Sequence, residues 1–523
     1  MIESKARRIL LVAAENGALP KGKVGGVGDV MKGLPPALAD LGWEATVITP
    51  AYGMFHQLPG SKHLQELTIP FGGRSESVSL YQVSGPDARI THLVLEHPLF
   101  SPQGPGKIYC HDGSDRPFAT DAGKFALLCA AVANYVQQSE ELPDVVHLHD
   151  WHAALYLALR EFDPSLSRLR QVHTVYTIHN LALQGIRPLR HDSSSLEAWF
   201  PGLAYDLEKV GDPRYHDCVN PMALAIRLAE NLNTVSPSYA REILDANDPV
   251  IGFHGGEGLE QDLRRADSDS RLTGIINGCE YETRPAVSPK WSKLLDTILA
   301  EAGNWHDSGA MSREDLGALA GKLDAYRGGR PANVLTSIGR MTAQKVELFL
   351  QETPNGSSAL DAILDALGDK GVFIMLGSGD RELEQQVAQC AARRSNLIYL
   401  CGYSETLSQF LYVAGDMFLM PSSFEPCGIS QLLAMRNGQP CVVHAVGGLK
   451  DTVQHGVTGF VFDGESSRDK AGNFVETVAE ALALKVTTPR QWAGIRNQAA
   501  EQRFTWDLAA RQYQEDLYGH PGR

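Results

Sequence analysis

The stretch Pro421-Ser422-Ser423-Phe424-Glu425-Pro426-Cys427-Gly428-Ile429-Ser430-Gln431 puts one carboxylate, Glu425, at a turn restricted by Pro426 and Gly428, directly ahead of the apolar run Leu432-Leu433-Ala434-Met435. That run reads as a helix, and a helix start offers unpaired backbone N–H groups and the positive end of a dipole. Such a place suits an anionic phosphate, while a carboxylate beside it accepts hydrogen bonds from sugar hydroxyls. The pairing points to a nucleotide-sugar site. An ordinary loop, stiffened by Pro426 and turned by Gly428, is the plain alternative.

Arg340 and Lys345 stand five residues apart in Ser337-Ile338-Gly339-Arg340-Met341-Thr342-Ala343-Gln344-Lys345. Two cations on one loop of an acidic chain fit a diphosphate; a solvated surface pair is the alternative. Far upstream, Lys21-Gly22-Lys23-Val24-Gly25-Gly26-Val27-Gly28-Asp29 brings Lys23 beside glycines whose amides can approach an anion or a sugar closely. It is neither a Walker loop nor a clean dinucleotide fingerprint, and a plain strand-to-helix turn explains it as well. His147-Leu148-His149-Asp150-Trp151-His152 follows a strand and opens a helix. Here Asp150 is a candidate helix cap, with the histidines satisfied by the backbone. The histidine spacings suit no helical zinc motif, so no metal is expected, and His152 reads as a hydrogen-bonding group facing a cleft. His179, Asn180 and Gln184 follow the next strand as partners for sugar hydroxyls. Tyr403 offers a platform for a nucleobase or, equally, a packed core side chain.

Something must position these groups. Apolar runs of strand length recur at 9–13, 45–49, 145–148, 175–178 and 233–235, then at 334–338, 372–376, 397–400, 417–420 and 441–444, with helical segments between. Short runs alternating with helices are the pattern of parallel sheets covered on both faces, and two groups imply two sheets. Open parallel sheets bind ligands at the carboxyl ends of their strands, where the candidates above fall. The length of 523 residues fits two domains and a cleft. The expected division is 1–280, then 281–490, then C-terminal helices at 491–523 packing back on the first domain, with the connection placed in 280–331.

Hydrophobic content of 43% and charged content of 21% are those of a globular protein. No window reaches the ~20 apolar residues of a membrane span, and the apolar run before Glu15 is shorter than a secretory core of ~7–15 residues. A net charge of −15 disfavours nucleic acid and anionic membranes as partners. The eight cysteines lack C-x-x-C spacing, so a reducing cytoplasm is the expected compartment.

With these pieces in order, the chain resembles the bacterial glycogen synthase and plant starch synthase family, retaining glucosyltransferases of the GT-B architecture with two Rossmann-like domains. The resemblance runs through Lys23-Val24-Gly25-Gly26, His149-Asp150-Trp151-His152, Thr234-Val235-Ser236-Pro237-Ser238-Tyr239-Ala240, Gly274-Ile275-Ile276-Asn277-Gly278, Phe424-Glu425-Pro426-Cys427-Gly428 and Gly447-Gly448-Leu449-Lys450-Asp451-Thr452-Val453. It implies transfer of glucose from ADP-glucose to the nonreducing 4-hydroxyl of an α-1,4-glucan such as glycogen, with retention and without a cofactor. By that resemblance Arg340 and Lys345 hold the distal phosphate and neutralise the leaving ADP. Lys23 and the amides of Gly25 and Gly26 add to this when the domains close. Glu425 grips glucose hydroxyls, His152 sits beside the sugar, Tyr403 contacts adenine, and Asp29 assists on the acceptor side. Asn277, Cys427, Gly428, Ser430 and Gln431 complete the donor side.

A double displacement needs two carboxylates ~5–5.5 Å apart. No second carboxylate stands out, so the family's front-face mechanism is the expectation. Three departures are visible: Cys279-Glu280 after Asn277-Gly278, Val346-Glu347 after Gln344-Lys345, and a glycine loop lengthened around Pro20-Lys21-Gly22. Lys23 is preferred to Lys21 because it directly precedes Val24-Gly25-Gly26. Two rivals stand beside this reading: a retaining GT-B enzyme with another donor or acceptor, and a noncatalytic glucan-binding homologue. The sucrose and trehalose type has a second glutamate eight residues on, where this chain has Leu433. The joint presence of Lys23, His152, Arg340, Lys345 and Glu425 argues against a binding module.

Overall fold

The computed structural model describes residues 6–281 and 289–519, which form two compact units. The first gathers the residues up to 246, those of 255–280 and those from 505 on; the second holds 247–254 and the described residues of 281–504. Among the described residues no helix is long and apolar enough to cross a membrane.

In the first unit lie β1 (Arg7–Val12), β2 (Trp43–Pro50), β3 (Lys62–Phe71), β4 (Arg74–Val83), β5 (Thr91–Glu96), β6 (Val145–His149), β7 (His173–Ile178), β8 (Arg187–Pro188), β9 (Cys218–Val219), β10 (Asn231–Thr234) and β11 (Leu272–Gly274). Nine of them make one sheet in the order β11-β10-β7-β6-β1-β2-β5-β4-β3, and β8 pairs with β9 separately. The strands from β11 to β5 run parallel, and β4 and β3 extend the edge as antiparallel partners. β3 and β4 are absent from the apolar runs because they are half-solvated: Lys62–Phe71 alternates exposed Glu66, Thr68 and Pro70 with buried Leu67, Ile69 and Phe71. Alternation, not an apolar run, is the signature of such a strand.

The second unit holds β12 (Asn333–Ile338), β13 (Gly371–Leu376), β14 (Leu397–Leu400), β15 (Met417–Met420), β16 (Cys441–His444) and β17 (Gly459–Phe462), all parallel, in the order β14-β13-β12-β15-β16-β17. This is the doubly wound order, whose direction reverses between β12 and β15. In the first unit the same reversal falls between β1 and β6. Each unit therefore has one crevice at which a ligand is favoured, and the sequence candidates cluster after those strands.

The stretch expected to connect the domains is largely structural: helices Trp291–Asp307 and Arg313–Ala325 bury Leu294, Leu295, Ile298, Leu319 and Leu323 with Val334, Ile374 and Ile398 of the second sheet. Its residues 282–288 lie outside the described residues. The return to the first unit comes at Thr505, where 491 was expected. Helix Pro489–Glu501 stays with the second unit because Trp492 stacks on Phe460 (6.1 Å between centroids) and Ile495 enters the same core.

The final segment docks on the first unit through space left by two glycines. A Cβ on Gly33 would lie 2.0 Å from Trp506 Nε1, and one on Gly278 2.5 Å from the Trp506 nitrogen. Tyr513 and Tyr518 then enter the core under β1 and β6, where Asn233 donates to the Tyr513 hydroxyl at 2.7 Å.

Candidate active site

At the reversal point of the second sheet, β12 leads through Gly339 and Arg340 into helix Ala343–Leu350, and β15 leads into the turn of Glu425. The Lys345 ammonium makes an ion pair with Glu425 Oε2, and Ser422 Oγ donates to the same oxygen at 3.0 Å. Glu425 is buried and Lys345 half-buried. Arg340, by contrast, is exposed, and among the described residues its side chain has no partner. Ser337, Gly339, Arg340, Lys345, Met420 and Ser422 line a small cavity here. The Thr342 hydroxyl beside it is buried without a hydrogen-bond partner. Val346, one of the departures, packs in the core beneath this loop.

The turn is held from its backbone. Gln344 donates to the Phe424 carbonyl at 2.9 Å, the Ser423 amide donates to the Gln344 carbonyl at 2.8 Å, and the Gly448 amide donates to the Glu425 carbonyl at 3.0 Å. Gly447 (φ +41°) and Gly448 pass so close that a Cβ would lie 2.0 Å from the Glu425 carbonyl oxygen and 2.2 Å from that of Cys427. Only glycine fits there. Cys427 is buried, Gly428 turns at φ +77°, and Gln431 Nε2 donates to the carbonyls of Cys427 (3.1 Å) and Gly428 (3.0 Å). These contacts make Cys427 and Gln431 builders of the turn; the Gln431 Oε1 atom is buried and unpartnered. Ser430 opens helix Ser430–Met435, whose N-terminus no side chain caps. Tyr403 is 65% exposed, which removes the core alternative.

His444 escaped the sequence reading. It is buried at the end of β16, its Nδ1 lies 2.9 Å from the Ser422 carbonyl, and its ring stacks on Phe462. Its Nε2 is 3.5 Å from Asp463, and the imidazole holds that carboxyl below its ordinary range.

The first unit's reversal point has a different character. Glu15, two residues past β1 and its following Ala13, is 2% exposed. Its Oε2 accepts the amides of Val24 (2.8 Å), Gly25 (2.7 Å) and Gly28 (3.3 Å), and its Oε1 accepts the Tyr109 hydroxyl at 2.8 Å. The glycine loop does converge on an anion, but the anion belongs to the chain. The Gly25 amide is thereby committed, whereas that of Gly26 is not among those Glu15 takes. Sequence reading saw Glu15 only as the residue that ends an apolar run. Lys23 pairs with Asp29 at 2.6 Å. Burial pushes the Asp29 carboxyl up, with Lys23 opposing. In the lengthened part of the loop, the Asn16 amide donates to the Gly22 carbonyl at 2.8 Å.

His152, the third residue of helix Asp150–Phe162, lies against Trp151, Phe125 and Tyr109, with ring centroids 4.3, 4.6 and 5.4 Å away. Burial depresses it to about 3, so the ring is neutral at neutral pH. Among the described residues the ring has no hydrogen-bond partner. His147 is satisfied internally by the Tyr518 hydroxyl (2.9 Å) and the Thr177 hydroxyl (2.7 Å); His149 Nδ1 meets His179 (2.9 Å), while its Nε2 is buried without a partner. Asp150 does not cap its helix; its carboxylate accepts the His179 amide at 2.7 Å, and burial raises it to about 7. Asn180 is half-buried and accepts the Ala182 amide at 2.9 Å. Gln184 is fully employed: its Nε2 donates to the carbonyls of Leu181 and Glu257, and its Oε1 accepts from Arg214 and Asn220. Those bonds make it a tie inside the fold, where a sugar partner was expected. Asn277 is buried beyond β11 with an unpartnered Oδ1. After it, Cys279 is buried, and Glu280 pairs with Lys32 at 2.9 Å.

Known proteins are similar to this chain over nearly its whole length. Residues 8–265 match the family described as starch synthase catalytic domain, and residues 332–483 match glycosyl transferases group 1. The chain is 32% identical over 528 residues to a glycogen synthase of Streptococcus sanguinis (strain SK36), covering 97% of this chain and 99% of the relative. It is 31% identical over 528 residues to one of Francisella philomiragia, covering 96% and 98%. Among solved structures, the catalytic domain of starch synthase IV from Arabidopsis thaliana, bound to ADP and acarbose, has a TM-score of 0.73 at 25% identity, covering 98% of this chain and 99% of that one. Sucrose-phosphate synthase from Thermosynechococcus elongatus, at 15% identity and a TM-score of 0.54, shares the fold.

Proposed function

The chain belongs to the glycogen synthase and starch synthase family of GT-B glycosyltransferases, and on that premise we propose that it transfers glucose from ADP-glucose to the nonreducing end of an α-1,4-glucan, with retention. The observation that carries the donor assignment is the Lys345–Glu425 ion pair beside an unpartnered Arg340 at the second sheet's reversal point. A diphosphate draws Lys345 away from Glu425 and takes Arg340 as its second cation. The carboxylate so released accepts the hydroxyls of the glucosyl group, with the unpaired Thr342 hydroxyl close by. As the bond from the anomeric carbon to the phosphate oxygen breaks, its electron pair leaves on the nucleotide, where the two cations stabilise it. The acceptor 4-hydroxyl bonds to the anomeric carbon on the same face and gives its proton to the departing phosphate.

In this reading His152, neutral and with no bond of its own, offers a hydrogen bond beside the sugar. Lys23 and the Gly26 amide add positive potential, Asp29 assists on the acceptor side, and His179 and Asn180 meet acceptor hydroxyls. Tyr403 stacks on the base; ADP is chosen because the starch synthase IV relative is described with ADP bound. Two side-chain cations supply the charge a leaving diphosphate needs, so the proposed reaction uses no metal. Eight cysteines without C-x-x-C spacing suit a cytoplasmic location. The test is incubation with glycogen and radiolabelled ADP-glucose or UDP-glucose, with and without chelator. Incorporation from ADP-glucose, insensitive to chelator, is expected. Incorporation from neither donor overturns the enzyme reading, preference for UDP-glucose overturns the donor, and loss with chelator overturns the metal-free chemistry.

A further inference from the structure

Residues 247–254 belong by their contacts to the second unit, although the chain on either side of them belongs to the first. The segment closes on itself. The Asp248 amide donates to the Phe253 carbonyl at 3.0 Å, the Phe253 amide donates back at 2.8 Å, and Asp248 Oδ1 accepts the Val250 amide at 2.9 Å. Lys470, buried in helix Ser467–Thr487, donates to the Ile251 carbonyl at 2.8 Å. A buried ammonium spent on a backbone carbonyl is a costly anchor, and burial lowers its proton affinity. At the end of the segment the His254 ring lies on that of Phe424, with centroids 4.6 Å apart and planes 38° apart.

Phe424 immediately precedes Glu425. The other supports of this turn, from Gln344, Gly448 and His444, grip its backbone carbonyls. The His254 ring grips a side chain, and so resists the turn's rotation about its own axis, the motion that would swing the neighbouring carboxylate. We propose that residues 247–254 form a strap whose His254 is a positioning residue, holding Phe424 and thereby aiming Glu425 at the glucosyl group. The proposal rests on the donor-site reading above. It separates two tasks: Arg340 and Lys345 bind the diphosphate, and the strap governs only the aim of the carboxylate. Small misplacement of a reacting group costs up to ~100-fold in rate, so the strap should appear in kcat and leave nucleotide affinity alone.

The test uses the full chain with glycogen as acceptor. His254→Ala is expected to lower kcat roughly 10- to 100-fold, with the Kd of ADP by calorimetry unchanged within about twofold. His254→Phe, which keeps a ring on Phe424, should return kcat to within about threefold of wild type. His254→Ala combined with Phe424→Ala should cost no more than the worse single variant. Wild-type turnover in His254→Ala, or a phenylalanine variant as poor as alanine, overturns the proposal. Hydrogen exchange gives a readout independent of turnover. The peptide 421–431 should exchange severalfold faster in His254→Ala while strand Gly371–Leu376 is unchanged, and unaltered exchange overturns the strap. A wild-type chain that transfers no glucose defeats the donor-site reading, and the exchange comparison still judges the strap. If His254→Ala is too unstable to assay, His254→Leu, which keeps bulk and removes the ring, is read in its place.

Discussion

Each reversal point carries a buried glutamate, Glu425 in the second unit and Glu15 in the first, and the two are satisfied by opposite means. Glu425 is neutralised by a mobile cation, the Lys345 ammonium on a flexible stem, with one hydroxyl beside it. Glu15 is satisfied by fixed dipoles, the loop amides of Val24 and Gly25, the Gly28 amide in the first turn of the following helix, and a phenol. An ion pair can exchange partners when a stronger anion arrives; amides built into a loop cannot. The first arrangement therefore suits a site that opens to an anionic ligand, and the second a frame that fixes the shape of a loop. A carboxylate near glycines is not by itself a binding group, and what satisfies it tells the two cases apart.

The largest effect that would break this contrast lies on the Glu425 side. Lys345→Ala and Glu425→Gln are each expected to lower kcat by about 10²–10³-fold, the range for removing one fixed transition-state contact, while the melting temperature moves little. Turnover retained in both would make the pair structural, like Glu15. Next comes Glu15→Ala, which strands three amides and a phenol. It is expected to cost about 3 kcal/mol in denaturant unfolding, with ADP affinity by calorimetry near wild type; a loss confined to ADP affinity would make the glycine loop a phosphate site after all.

The smallest effect is a pH dependence rooted in the first unit. His147, His152 and His179 are held near 3 by burial, against an ordinary value near 6.5. Their contribution to stability is complete above the unfolded value and is lost as pH falls from about 6.5 toward 3, because the unfolded chain binds the extra protons. Asp150, raised to about 7, acts oppositely in sign with pH: its protonated form is favoured by the fold, and stability drains as pH rises from about 4 to 7. Melting temperature between pH 7 and 5 should therefore fall less than the histidines alone require, and His147→Gln should flatten the slope. An unchanged slope would mean that these histidines carry protons in the fold.

Much of this was legible in the sequence. Buried parallel strands write themselves as apolar runs, which is why β1, β6, β12 and β15 and the residues behind them were found, and why Arg340, Lys345 and Glu425 fell together. β3 and β4 were not, since a half-solvated strand hides its apolar residues between Gln65, Glu66 and Thr68. Partners were harder still. Nothing local to Lys23-Val24-Gly25-Gly26 says that the Val24 and Gly25 amides are already spent on Glu15, and nothing in Gln184 announces four internal bonds; both follow from residues brought near by folding. The family pattern supplied roles, and the hydrogen bonds then divided those residues between ligand-facing and load-carrying positions.

The docking of Trp506 into the space left by Gly33 and Gly278 has a consequence for synthesis. The first unit's N-terminal sheet comes early in translation, yet Tyr513 and Tyr518, which bury against that sheet and hydrogen-bond Asn233 and His147, follow the second unit in the chain. The ribosome therefore releases an N-terminal half whose core still lacks its final side chains, and that half is closed only after the whole second unit has emerged.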